Sequence, residues 1–412
     1  MVRVSQDQSA EPARVARRRV FYIPGYDPIP PRRYREIYRK EGADQARMIG
    51  YDLTLRPKRV AGPYGWHVSS CIEGAAVEAD FEVLVWSDIV RDSMSQGILA
   101  TYLQLLHTAW VYLWSGALIR LIWLRKGPTV AALYPVVLLV LQLVVALLVG
   151  WGLGLLAGKV AGWWGAVPAA LVGAALVLRW FRRIDNRIYA HYLMHDYAYT
   201  AQHWGANPPE LEARMSAFRM TLRAALGQSY DEVLVVGHSS GAHLAVSILS
   251  DLIREGVPAG GPALSFLSLG QVVPMVSFLP TAARLRGDLR YLSARDEVAW
   301  IDVTAPGDGC AFALCDPVSV TGVAPDGKRW PLVLSCAFRQ TLSAKRWKQL
   351  HLRFFRMHFQ YLCAFDNLAG AVDDYDYFRI TAGPLTLADR LGQRPASKSR
   401  IERPASGHRS VA

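Results

Sequence analysis

Apolar residues along this 412-residue chain follow three rhythms, and each predicts a different kind of element. The first is a short run rich in β-branched and aromatic residues, bounded by Gly, Pro or Asp, at residues 20–23, 51–55, 65–71, 81–86, 233–236, 263–269 and 298–305. Such runs read as strands. The run 233–236, Val-Leu-Val-Val without a polar break, demands burial on both faces and so a place inside a parallel sheet. The second rhythm has the 3.6-residue period of a helix. It marks a basic amphipathic helix over 32–47, a helix over 210–226 opened by Pro208-Pro209, and a helix whose apolar positions are Ala242, Leu244, Ala245, Ile248 and Leu252. Strand and helix signals alternating in this way predict an α/β domain, a mostly parallel sheet flanked by helices.

The third rhythm is apolarity with no period. Residues 129–158 carry no formal charge, and after Lys159 residues 160–178 again carry none. Each run is long enough to cross a bilayer, which takes about 20 residues. Gly150, Gly152, Gly154 and Gly158 offer small surfaces for close helix contact, and Trp163-Trp164 suits a membrane interface. The expectation is a transmembrane helical hairpin over 129–180, with Lys159 in its connection. The hairpin interrupts the α/β domain, leaving an N-terminal part at 19–98 and a C-terminal part at 181–389. Residues 99–128 are apolar but broken by Gln104, His107, Ser115 and Arg120, and a charge at mid-bilayer depth is costly, so this stretch is expected to lie in the interface. Arg120, Arg125 and Lys126 precede the hairpin, while Arg179, Arg182, Arg183 and Arg187 follow it. By the positive-inside rule both ends face the cytoplasm, which predicts a multi-pass inner- or plasma-membrane protein with its catalytic domain and termini cytoplasmic.

Candidate chemistry enters where the 233–236 run stops. Gly237-His238-Ser239-Ser240-Gly241 fits G-x-S-x-G between strand and helix, a sharp turn whose two glycines avoid collisions that a Cβ would cause. Val20-Phe21-Tyr22-Ile23-Pro24-Gly25-Tyr26-Asp27 adds an early apolar strand ending in a glycine loop. On these two motifs the chain resembles the α/β-hydrolase superfamily, in particular its lipase- and esterase-like serine hydrolases. The resemblance implies Ser239 as nucleophile and an oxyanion hole from the backbone N–H of Tyr26 (or Asp27) with that of Ser240. It also implies the chain order Ser, acid, His, which leaves His243, His351, His358 and His408 as bases. His358 leads because His358-x-x-Tyr361 is similar to a His-x-x-Tyr arrangement in lipase-like members; His351 is the reserve. For the acid, Asp308 in the turn Pro306-Gly307-Asp308-Gly309 after the 298–305 strand leads, with Asp316 of Cys315-Asp316-Pro317 as alternative. Asp302 is expected to be structural.

Composition changes this picture in three places. A hydrophobic content of 52% is high for a domain without a membrane segment. The net charge is +12, and much of it sits at the ends. Residues 1–20 carry five arginines against Asp7 and Glu11, and residues 390–412 five arginines and Lys398 against Glu402. The termini, 1–18 and 390–412, are expected to be disordered basic tails facing an anionic leaflet. No recognition motif accompanies the charge, so nucleic acid is not an expected partner. Five cysteines without C-x-x-C spacing fit reduced thiols, and neither metal nor cofactor is expected. His191 and His195 lie at i, i+4 but lack a metalloprotease glutamate. The function expected is cleavage of carboxylic esters, of lipid or other small molecules, through a Ser-His-Asp triad and an acyl-enzyme. The alternatives are an acyltransferase using the same triad and a catalytically silent membrane scaffold.

Overall fold

The computed structural model describes residues 15–94, 97–368 and 375–411. Eight strands form one sheet: β1 (Arg17–Ile23), β2 (Asp52–Pro57), β3 (Gly65–Ile72), β4 (Ala75–Val83), β5 (Glu232–His238), β6 (Ala263–Leu269), β7 (Ala299–Thr304) and β8 (Leu332–Ser335). Their spatial order is β2-β3-β4-β1-β5-β6-β7-β8. The pairs from β4 to β8 are all parallel, and only β3 runs against its neighbours. This is the α/β class expected from the alternating signals.

Helices α1 (Arg32–Ile49), α2 (Ser87–Met94), α3 (Ile98–Trp114), α4 (Ala117–Leu124), α5 (Lys126–Arg183), α6 (Asp185–Ile188), α7 (Ala190–Ala201), α8 (Pro209–Leu226) and α9 (Gly241–Arg254) follow or interrupt the first five strands. The central strands are buried on both faces, whereas the edge strand β2 is largely exposed. Val233 and Val235 point into a core built with α8 and α9, while Leu234 and Val236 point the other way, into a core that takes Tyr34 and Tyr38 from α1. A strand apolar at every position is stable only when both of its faces are covered, as here.

α5 is long and apolar enough to cross a membrane. It is broken at Gly162, whose φ of 60° and ψ of −157° are not helical. A Cβ on Gly150 would meet Ala174, and one on Gly154 would meet Ala170, at 3.1–3.2 Å, so α5 folds back on itself there. Lys159, expected in the connection, lies within the first arm, because the glycine three residues on supplies the positive φ that the reversal needs. Most of the surface of both arms is exposed apolar side chain, Val160 at 90% and Trp164 at 73% among them. Residues 98–124 are two helices, α3 and α4, meeting at 74° across Ser115-Gly116. Their outward faces carry Leu99, Leu106, Trp110, Trp114 and Trp123, and α3 and α5 both pack on α7.

Both tail boundaries need correction. The expected N-terminal tail, 1–18, overruns β1: Arg17 and Arg18 are in the strand, with the Arg18 side chain fully buried against Glu232; residues 1–14 lie outside the described residues. The expected C-terminal tail, 390–412, is not free over 390–411. Ile401 bridges Cys315, Ala405 N–H donates to Val320 O at 2.8 Å, and the buried Arg286 reaches Ser410 O at 2.6 Å. Backbone hydrogen bonds and one arginine hold this polar strap, which apolar patterning does not reveal.

Candidate functional site

The turn between β5 and α9 places Ser239 at φ 56°, the left-handed region that a non-glycine residue enters at a cost. Its geometry is over-determined. Ser239 N–H donates to Leu269 O on β6 at 2.9 Å, and Ala242 N–H returns to Ser239 O at 3.1 Å. A Cβ on Gly237 would lie 2.8 Å from Ala242 Cα, and one on Gly241 would lie 2.7 Å from Pro24 O, so both elbow glycines let backbone segments touch. Gly25 is closer still to the chemistry, since a Cβ there would sit 2.8 Å from Ser239 Cβ.

The loop after β1 is clamped by side chains from α1, from α7 and from the segment between β4 and α2. Trp86 Nε1–H donates to Pro24 O at 2.9 Å, Tyr34 OH to Asp27 Oδ2 at 2.9 Å, and Tyr192 OH to Tyr26 O. The N–H groups of Tyr26, Asp27 and Ser240 find no acceptor among the described residues, and all three residues line the cavity in front of Ser239. Fixed, unpaired N–H donors are what a developing oxyanion requires.

His358 and Asp308 meet in the same place. Asp308 caps its own turn, accepting from Cys310 N–H at 2.9 Å, and its Oδ2 accepts from His358 Nδ1 at 2.7 Å and from Tyr361 OH at 2.9 Å. Burial alone would raise the Asp308 carboxyl, but the charge and hydrogen bond of His358 outweigh it and hold the group below its ordinary value. With Nδ1–H committed to Asp308, the imidazole carries its lone pair on Nε2, which has no hydrogen-bond partner among the described residues. His358 and Ser239 line one cavity of about 380 Å³. The Ser239 Oγ–His358 Nε2 bond itself is not formed here, and catalytic bonds of this type commonly tighten when substrate binds.

His238, the x of the turn motif, was given no role by its sequence position. It is fully buried and pushed down to about 3 by burial, with His358 adding to the effect, so it is neutral. Its Nε2–H donates to His358 O at 3.0 Å, which leaves Nδ1 to accept from Tyr22 OH at 3.2 Å. It therefore positions the backbone of His358. The two alternates lie elsewhere. Asp316 caps a short helix, Pro317–Thr321, through Val318 and Ser319 N–H and pairs with Lys328 at 2.6 Å. His351 is exposed at the end of the helix Ala344–Leu350.

Asp196, on α7, is a cavity residue that nothing in its sequence context signals. Burial pushes its carboxyl up to about 7, with the charge on His358 pulling the other way. Its folded value lies above the ordinary 3.8, so the stability it confers is complete below about pH 4 and is lost as pH rises through 7. Asp196→Asn is accordingly expected to raise the melting temperature at pH 8, by a stabilisation on the order of 4 kcal/mol, and to leave it unchanged at pH 4; thermal melts at the two pH values check this.

Asp308, Cys310 and His358 also bring three potential metal-ligating atoms within 4.8 Å of one another. The set suits a metal poorly. The carboxylate is already taken by three donors, and burial holds the Cys310 thiol well above its ordinary pKa, hence protonated. Comparison of the chain with known protein families, curated proteins and solved structures found no match.

Proposed function

We propose that this protein is a membrane-anchored serine hydrolase of the α/β-hydrolase type that cleaves carboxylic esters of lipid origin. The observation that carries the reading is the Asp308–His358 hydrogen bond, which leaves Nε2 without a partner on a residue that lines the same cavity as Ser239 on its left-handed turn. In the reaction, Ser239 Oγ attacks the acyl carbonyl while His358 Nε2 takes its proton. The N–H groups of Tyr26 and Ser240 stabilise the oxyanion. Collapse expels the alcohol, which receives the proton from His358, and water, deprotonated by the same imidazole, then releases the acid and restores Ser239. An acyltransferase would differ only in using an alcohol in place of water.

Membrane attachment rests on α5, and we assign each of its two arms to one crossing. The basic residues at both of its ends favour, by the positive-inside rule, a cytoplasmic position for those ends and for the sheet domain. A bilayer-held catalytic domain favours lipid esters among the possible substrates.

Fluorophosphonate labelling of the full chain in detergent tests this. The wild type is expected to label and Ser239→Ala to show no labelling at unchanged melting temperature. A folded wild type that does not label would sink the hydrolase and leave the silent scaffold.

A further inference from the structure

A second cavity, of about 170 Å³, lies in the corner formed by α3, α4, α5 and α7. Its walls are Leu118 and Leu121 from α4, Leu133 and Val136 from α5 and Met194 from α7. Of the hydroxyls around it, Thr129 donates to Arg125 O and Tyr112 to Met275 O, while the buried Thr108 Oγ1 has no hydrogen-bond partner among the described residues. A protein cavity of about this size with apolar walls stays dry and takes up apolar guests.

Two features give the cavity a direction. Tyr197 and Met275 line both this cavity and the one containing Ser239 and His358, so the two spaces meet at these residues. At the other end, Leu113 lines the cavity and is 65% exposed, on a helix whose outer face also shows Trp110 and Trp114. Under the membrane-anchored reading, that face lies against the bilayer that α5 enters.

We infer that the α3–α4–α5–α7 cavity holds the hydrocarbon chain of the ester, admitted sideways from the bilayer past Leu113, with Tyr197 and Met275 as the gate to the carbonyl site. The inference rests on the proposed hydrolase and deepens it, naming a single long acyl chain as the recognised group. Met275 suits a gate, since an unbranched thioether side chain repacks easily. The membrane helices then have two tasks, anchoring the domain and forming the wall against which the substrate lies.

The test uses the full chain in detergent with Ala132→Phe, which fills the cavity from α5, and Ala109→Phe, which fills it from α3. Two readouts are taken: the ratio of kcat/KM for p-nitrophenyl dodecanoate to that for p-nitrophenyl acetate, and fluorescence of bound 11-(dansylamino)undecanoic acid. Each variant is expected to lower the ratio about tenfold or more and to weaken probe binding. Cleavage of acetate in both variants with an unchanged ratio and unchanged probe binding overturns the inference while leaving the hydrolase intact. Wild type that cleaves neither ester, yet binds the probe in a manner lost in both variants, supports the chain site and overturns the hydrolase.

Discussion

Asp308→Asn is expected to slow ester hydrolysis about 10³–10⁴-fold in kcat, with Asp316→Asn slowing it little. The reason lies in what each carboxylate touches. Asp308 Oδ2 is the acceptor that holds the His358 proton on Nδ1 and so keeps Nε2 free to accept a proton. An asparagine there can present its NH₂ group, stabilise the other tautomer, and leave Nε2 protonated and unable to take the serine proton. It also lacks the charge that stabilises the imidazolium formed as Ser239 attacks. Asp316 holds a helix end and Lys328, so its amide variant is expected to lose melting temperature and retain rate. Steady-state kinetics on a chromogenic ester, with a melt of each variant, separate the two. Equal losses in kcat would remove Asp308 from the triad.

The largest stability effect is expected under the centre of the sheet. Arg18 on β1 and Glu232 on β5 are adjacent in register, and both side chains are fully buried. Arg18 also donates to Gly383 O at 2.7 Å, while Glu232 Oε1 accepts from Ser265 Oγ and Leu387 N–H, each at 2.7 Å. The pair thus ties two central strands to the segment around 383–387. Glu232→Leu would strand a guanidinium where water cannot reach it, and is expected to cost about 3–5 kcal/mol. Replacing both members by apolar residues, Arg18→Met with Glu232→Leu, is expected to recover most of that loss, because the penalty comes from the orphaned charge more than from the missing attraction. Denaturant unfolding of both variants checks this, and a double variant no more stable than the single one would contradict it.

How much of this was legible depends on the distance over which each signal acts. The β5 strand and α9 are local: a four-residue apolar run, two glycines and a helical period suffice, so that β5 contains the expected strand 233–236 and the positive φ of Ser239 falls in the expected turn 237–241. The reversal of α5 was legible as two uncharged runs, but its place was misread because charge drew attention to Lys159, whereas backbone freedom lies at Gly162. Asp308 and Asp316 could not be separated by sequence, since both follow β7 in turns. What divides them is whether the side chain meets an imidazole 50 positions later or a lysine 12 positions later. Asp196 and His238 act through neighbours brought from distant segments, and no periodicity encodes that. β8, four residues long, is too short to stand out from a loop. The C-terminal strap misled in the opposite direction, its composition resembling a tail while its main-chain groups find partners on the folded domain.

The place of α5 within the sheet's connectivity sets a timetable for synthesis. β1 pairs with β4 soon after both emerge, but its other edge belongs to β5, with Arg18 waiting for a glutamate 214 positions further on. At roughly 5–20 residues per second this takes some tens of seconds. Throughout that interval the nascent sheet has an open hydrogen-bonding edge, an apolar face and an unpaired guanidinium, while the ribosome makes the whole of α5. The sheet therefore closes only after α5 has been made, so under the membrane-anchored reading the site is assembled after its anchor, at the bilayer.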